Sequence, residues 1–222
     1  MKTAMILAAG RGERLRPLTD HCPKALCSIY DKPLMAHHLQ NLALAGYQRV
    51  IINHAYLGDQ IRRFVRQHQD HGLEILFSPE PPGGLETGGG IVNALGLLGS
   101  EPFITLNADI YIDYDLKQLQ LPEQSLAHVI LVEKPHYRSL GDYGLSANGA
   151  INNTDKQYIF SGLTLYRPEF FKHAITGRYS VTPMVRQHAD LSLVSGEIHT
   201  GTWFDIGTPQ QLHMAQKKKV FL

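Results

Sequence analysis

The chain predicts an α/β fold, a Rossmann-like three-layer sandwich around a mixed, mainly parallel central sheet. Three observations carry that expectation. Strand-like and helix-period segments take turns through the first half, the pattern of βαβ units joined by right-handed crossovers. After about residue 125 strand-like runs crowd together, so the sheet is expected to become mixed there. The 222 residues suffice for one sizeable core but are short for two full domains.

The elements follow in order. "AMILAAG" near the N-terminus is a continuous apolar run, suited to a strand buried on both faces. "KPLMAHHLQNLALAGY" predicts a helix with Pro33 in its first turn, a stripe of Leu34, His38, Leu42 and Ala45, and Gly46 as its end. "QRVIINHA" is the next strand. "DQIRRFVRQH" is the next helix, with Ile61, Phe64, Val65 and His68 on one face. "LEILFSP", "GGIVNALGLLG" and "PFITLNAD" continue as strand, helix and strand. Beyond them "AHVILVEKP", "GDYGLS", "YIFSGLTLYR" and "LSLVSGEIH" read as strands, interrupted by short helices at "PEFFKHA" and "TPMVRQHA". Thr208 and Pro209 have the residue types of an N-cap and first position for a closing helix. No repeat or linker divides the chain. One domain over 1–222 is expected, with a nucleotide-binding half (about 1–125) and a substrate-binding half (about 126–222), and ligands at the carboxyl ends of the strands.

Bulk properties exclude several classes. A formal net charge of +1 argues against a nucleic-acid partner, so any basic site is local. No apolar run is long enough to cross a bilayer, which argues against a membrane partner. The start "MKTAMILAAGRGERL" lacks the long apolar region of a secretory signal. Cys22 and Cys27 have neither redox nor zinc-pair spacing, which suits two reduced thiols in a cytoplasmic protein. The sequence is silent on oligomeric state.

The densest chemical signal is "MILAAGRGERLRPLTDHCPKAL", residues 5–26. Glycines straight after a strand let backbone N–H groups approach phosphate oxygens. Leu15 stands where a dinucleotide fingerprint needs its third glycine, and no Gly-Lys-Ser/Thr follows, so neither standard phosphate motif applies. Pro17 and Pro23 discourage helix. The stretch is then a loop that returns Arg14 and Lys24 to Gly10 and Gly12, an arrangement suited to a triphosphate.

Leu7 to Lys24, as L-A-A-G-x-G-x-R-L-x-P-L-T-x-x-x-P-K, resembles the signature of sugar-1-phosphate nucleotidyltransferases. "ETGGG" (86–90) is similar to the family's second glycine turn, and "LNAD" and "TWFDIGTP" to its metal-bearing segments. The resemblance runs from residue 5 to about 210. It implies a nucleotidyltransferase or GT-A-like fold, a nucleoside triphosphate (UTP favoured) and a sugar-1-phosphate as substrates, and Mg²⁺ as cofactor. Carried onto matching positions, Arg14 and Lys24 would be catalytic, and Asp109 and Asp205 would hold the metal. Leu7, Ala8, Gly10, Arg11, Gly12, Glu80, Thr87, Gly88 and Asn107 would bind the nucleotide, with Glu80 near the base. Tyr143, Gly144 and Asn153 would bind the sugar. Many relatives carry Glu-Lys-Pro after the Tyr-Gly segment. Here Glu133-Lys134-Pro135 precedes it, so that lysine's role is not transferred, and Asn153 or Lys156 would stand in.

The implied reaction is in-line attack by a sugar-phosphate oxygen on the α-phosphorus, expelling pyrophosphate. A phosphate monoester is already ionised near neutral pH, so no general base is required. Positioning and charge neutralisation remain to be supplied. The residues taken singly also have plainer readings: Asp109 as a strand-end cap, Glu80 as a solvent-facing loop acid. Asp113-Tyr114-Asp115 spells the D-x-D of glycosyltransferases but is expected to be an acidic helix start before "LKQLQL". His68 and His71 are expected to be solvated, and Lys217–Lys219 a charged helix tail. Rival functions are a guanylyl- or thymidylyltransferase acting on mannose- or glucose-type 1-phosphates, a glycosyltransferase, and a silent regulatory subunit of the same fold.

Overall fold

The structure is a computed structural model that describes residues 1–68, 72–135 and 138–217. β1 (Thr3–Leu7) is followed by a loop wound into three single 3-10 turns, Glu13–Leu15, Leu18–Asp20 and Lys24–Leu26. A small hairpin, β2 (Ser28–Ile29) and β3 (Lys32–Pro33), leads into α1 (Leu34–Leu44). Alternation then proceeds through β4 (Arg49–His54), α2 (Gly58–Gln67), β5 (Glu74–Pro79), α3 (Glu86–Leu98) and β6 (Phe103–Asn107). Next come β7 (Ile110–Ile112), β8 (Ala127–Glu133), β9 (Gly144–Leu145), β10 (Ile151–Asn152) and β11 (Tyr158–Tyr166). The described chain closes with α4 (Thr182–Asp190), β12 (Val194–His199), β13 (Trp203–Asp205) and α5 (Pro209–Lys217).

Seven strands form one sheet in the order β5-β4-β1-β6-β11-β8-β12. Every neighbouring pair is parallel except the two made by β11. The sheet is therefore mixed and mainly parallel, and it runs through both halves of the chain. β1 lies between β4 and β6 with Leu7 opposite both Asn53 and Asn107. Strand order reverses there, which opens a crevice at the carboxyl ends.

The core follows strand periodicity. Ala4 and Ile6 join one apolar cluster with α1 and α2, while Met5 joins another with α3 and α4. A third, smaller cluster packs Leu15, Ile29 and Leu34 against Ile206, Leu212 and Ala215. It clamps the N-terminal loop to the C-terminal helix. Leu34, His38 and Leu42 form the buried stripe of α1, and Gly46 ends that region at φ +78°. Thr208 caps α5, its hydroxyl accepting the Gln211 N–H. Among the described residues no helix is long and apolar enough to cross a membrane.

Several sequence expectations are corrected. Pro33 belongs to β3 and precedes α1. "ETGGG" is the first turn of α3, because the helix starts at Glu86. "PEFFKHA" forms a 3-10 turn at Pro168–Phe171. "LKQLQL" is not helical: Asp115 caps a turn by accepting the Lys117 N–H at 3.0 Å. Asp113 accepts from Thr202 N–H and pairs with His199 at 2.7 Å, so both acids of the D-x-D have local partners. His68 ends α2, exposed, with its ring stacked on Phe64. His71 and Lys218–Lys219 lie outside the described residues. Cys22 and Cys27 are free thiols, and the Cys22 Sγ–H donates to Pro23 O at 3.5 Å.

Candidate active site

The crevice is a cavity of about 750 Å³. That lies in the upper part of the roughly 300–1,000 Å³ range for small-molecule sites, and suits two substrates.

One wall is the N-terminal loop. Gly10 has open space where a Cβ would stand, so its main chain is bare to the cavity. Gly12 is left-handed at φ +68°, and a Cβ there would lie 3.4 Å from Lys24 Cβ, so Lys24 is folded back onto the turn. The Thr19 hydroxyl donates to Gly12 O at 2.8 Å, and Leu15 N to the same oxygen at 2.9 Å. Arg14 passes close to Gly207, where a Cβ would stand 3.3 Å from Nη2. Arg11 lies over the Tyr56 ring.

Lys24 Nζ donates to Asp109 Oδ2 at 2.5 Å. Asp109 follows β6, and the main chain brings Asp205 beside it: Asp205 is paired with Ile110, and Ile206 N donates to Asp109 O at 2.9 Å. Burial, then the neighbouring Asp109 charge, pushes the Asp205 carboxyl above its ordinary range, with Lys24 and Arg14 opposing. Beneath them, burial drives the pKa of the His38 imidazole down to about 4, so the ring is neutral. Two sheltered carboxylates in like-charged company fit a divalent, oxygen-seeking cation. Among the described residues no group of three or more His, Cys, Asp and Glu side chains could hold a metal, so phosphates and water would complete the coordination.

The opposite wall comes from β4, the 80–87 loop and α3. Asn53 Oδ1 accepts from Ala8 N at 2.7 Å, and its Nδ2 donates to Glu80 Oε1 at 2.6 Å. Glu80 Oε2 accepts from Leu85 N at 2.6 Å. Both carboxylate oxygens are thus engaged inside the protein. Glu80 is neither a solvent-facing loop acid nor, here, a group open to a base. A Cβ on Gly88 would strike the Tyr179 ring at 2.6 Å, one on Gly89 the Gly177 carbonyl at 1.9 Å, and one on Gly90 Glu80 Oε1 at 2.6 Å. These glycines permit close packing, and the N–H of Gly88 is given to Tyr179 O.

Of the expected residues, Leu7, Gly10, Arg11, Gly12, Arg14, Lys24, Thr87, Asn107 and Asp109 line the cavity, with Asp205 adjoining Asp109. Ala8, Glu80 and Gly88 stand behind its wall. The expected sugar group is elsewhere. Tyr143 is core, and burial pushes its pKa up to about 12. A Cβ on Gly144 would lie 2.2 Å from Asp155 O. Asn153 donates to Arg186 O and Asp190 Oδ1 at 2.9 and 2.7 Å and lines a second concavity. Cavity residues that sequence reasoning missed include Asn53, Gly83, Gly84, Glu86 and Arg178. The two glycines carried a local signal, and Glu86 opens the "ETGGG" segment.

Bare main chain, two cations and two acids meeting at the switch point of a mainly parallel sheet define a nucleotide-handling transferase. The chain belongs to the nucleotidyl transferase family, whose model matches residues 3–132, and it is a nucleotidyltransferase. It is 44% identical to an N-acetylmuramate alpha-1-phosphate uridylyltransferase from Neisseria meningitidis, covering 96% of each chain. It is 33% identical to the protein of that name from Caulobacter vibrioides, covering 94% of this chain and 93% of the other. The fold matches HddC from Yersinia pseudotuberculosis, solved with GMP-PN, at a TM-score of 0.81 and 23% identity, covering 98% of this chain and 99% of that one.

Proposed function

We propose that the protein transfers UMP from UTP to N-acetylmuramic acid α-1-phosphate, releasing pyrophosphate, as a cytoplasmic step of peptidoglycan recycling. One juxtaposition carries the reading: Lys24 and the Asp109–Asp205 pair meet beside the Gly10–Gly12 loop at the mouth of β1. Similarity to two uridylyltransferases over nearly their whole length supports the base and the sugar.

In this reading the main chain of Gly10 to Gly12 and the Arg14 guanidinium hold the triphosphate. Lys24 leaves Asp109 when substrate arrives and places its charge at the α-phosphoryl group. Mg²⁺, held by Asp109 and Asp205, would neutralise charge on the phosphates. The nucleophile comes ionised, so this chain supplies alignment and positive charge and moves no proton. Arg14 and Lys24 together favour the triphosphate chemistry over glycosyl transfer, since cleaving a nucleotide sugar needs no triphosphate grip.

The test is pyrophosphate release from each of the four nucleoside triphosphates with Mg²⁺ and a panel of sugar-1-phosphates. UTP with N-acetylmuramic acid 1-phosphate is expected to be the fastest pair. Faster release with GTP and a mannose- or glucose-type phosphate would replace this substrate assignment, and consumption of a nucleotide sugar without pyrophosphate would make it a glycosyltransferase.

A further inference from the structure

Among the charged groups that line the cavity, Arg178 is assigned neither to the triphosphate nor to the metal. It lies on the cavity rim, on a segment anchored to the start of α3. Gly88 N and Gly89 N both donate to Tyr179 O, Tyr179 N donates to Leu85 O, and Val181 N donates to Thr87 Oγ1. The backbone beneath Arg178 is therefore fixed, while its side chain remains 63% exposed.

The guanidinium has one ion-pair partner. Its Nε faces Glu86 Oε1 at 3.4 Å, and Nη1 and Nη2 have no partner among the described residues. Gly83, left-handed at φ +97°, lies beside Nη1, which a Cβ there would meet at 3.8 Å. Glu86 is itself left-handed at φ +59°, a conformation that non-glycine residues adopt only where their surroundings impose it. Its carboxylate is the ion-pair partner of the Arg178 guanidinium.

A planar fork on the rim of a substrate cavity, its Nε in an ion pair with Glu86 and both Nη groups without a partner among the described residues, suits a ligand offering two oxygens in a plane. The nucleobase is neutral, and the phosphates have Arg14 and Lys24. If the uridylyl transfer proposed above holds, one anion remains unmatched. Muramic acid is a hexosamine carrying a lactyl ether, and that ether ends in a carboxylate. We infer that Arg178 is the specificity residue that receives the carboxylate of the sugar acid, separating it from the neutral N-acetylhexosamine 1-phosphate with the same ring.

The experiment compares wild type, Arg178→Gln and Arg178→Lys with N-acetylmuramic acid 1-phosphate and N-acetylglucosamine 1-phosphate, following pyrophosphate release at saturating UTP. Arg178→Gln is expected to lose roughly 10- to 100-fold in kcat/KM for the acid, the scale of a hydrogen bond to a charged group. Turnover of the neutral sugar and KM for UTP are expected to stay as in wild type, and Arg178→Lys to recover part of the loss as a point charge. Turnover of the neutral sugar and equilibrium binding of UTP both report that the variant is folded. Equal losses with both sugars, a raised KM for UTP, or no loss at all would overturn the assignment. Wild type that uses other sugar phosphates but neither of these would overturn the substrate reading, and this inference with it.

Discussion

Replacing Lys24 by alanine removes the cation bonded to Asp109 and leaves two carboxylates facing each other. Unit charges about 4 Å apart attract by roughly 4 kcal/mol at the effective dielectric of a protein surface. The Lys24 side chain is 12% exposed and that of Asp109 31%, so water and side-chain entropy offset much of this. A net loss of about 1–2 kcal/mol is expected. In a chain of this size each kcal/mol moves Tm by roughly 2–4 °C, so the metal-free variant should melt roughly 2–8 °C lower. Activity should fall much further, by about 10²–10³-fold in kcat, the scale for deleting one preorganised charge at a reacting centre. The two effects separate with metal. Mg²⁺ should restore much of the lost Tm by meeting the carboxylates again, yet leave kcat low because no charge replaces Nζ at the phosphorus. Thermal melts in EDTA and in Mg²⁺, beside pyrophosphate release, measure both. A kcat within about threefold of wild type, under 1 kcal/mol of barrier, would remove Lys24 from the chemistry.

Asp205→Asn should melt higher than wild type in EDTA while losing most activity. Its raised carboxyl pKa means that stability is lost as pH rises past the ordinary carboxylate range, and an amide escapes that loss; an unchanged or lower Tm would contradict it. His38, neutral at a pKa of about 4 against an ordinary 6.5, binds its proton more readily when unfolded. Stability should therefore drop by roughly 3 kcal/mol between pH 6.5 and 4, as followed by urea midpoints, and His38→Leu should flatten that slope. Glu80→Gln leaves one acceptor for two buried donors, Asn53 Nδ2 and Leu85 N, and should cost about 1–3 kcal/mol in denaturant melts. Altered nucleotide preference with an unchanged melt would instead make Glu80 a base reader.

What could be read from the sequence was local. Alternating segments announced the parallel sheet because strand and helix periods are written in consecutive residues. The glycine-arginine loop was visible because bare backbone and cations are adjacent in the chain. Asp109 and Asp205 were singled out by resemblance, and strand pairing brings them together. Failures came where the partner lies far away. Nothing near Glu80 says that Asn53 and Leu85 N will occupy its oxygens. The glycines at 88–90 resemble a second glycine turn, but nothing local shows their packing role, because their steric neighbours Gly177 and Tyr179 lie some ninety residues on. Arg178 gave no signal, since a single arginine in a loop is ordinary; its surroundings alone distinguish it.

The site depends on how this loop is held. Residues 8–26 are rich in glycine, proline and charge, and three single 3-10 turns supply little hydrogen bonding of their own. Leu15, 1% exposed, is the loop's anchor, and it packs with Ile29 and Leu34 against Ile206 and Leu212 of the C-terminal segment. Burying a side chain of this kind is worth about 1.5–3 kcal/mol, so a few of them outweigh the loop's weak self-interaction. Ile206 is also the residue directly after Asp205, and its N–H holds Asp109 O. One apolar cluster thus sets the position of the arginine loop and of both acids. N-terminal cations, a mid-chain acid and a C-terminal acid are registered to each other by packing, before any substrate or metal arrives.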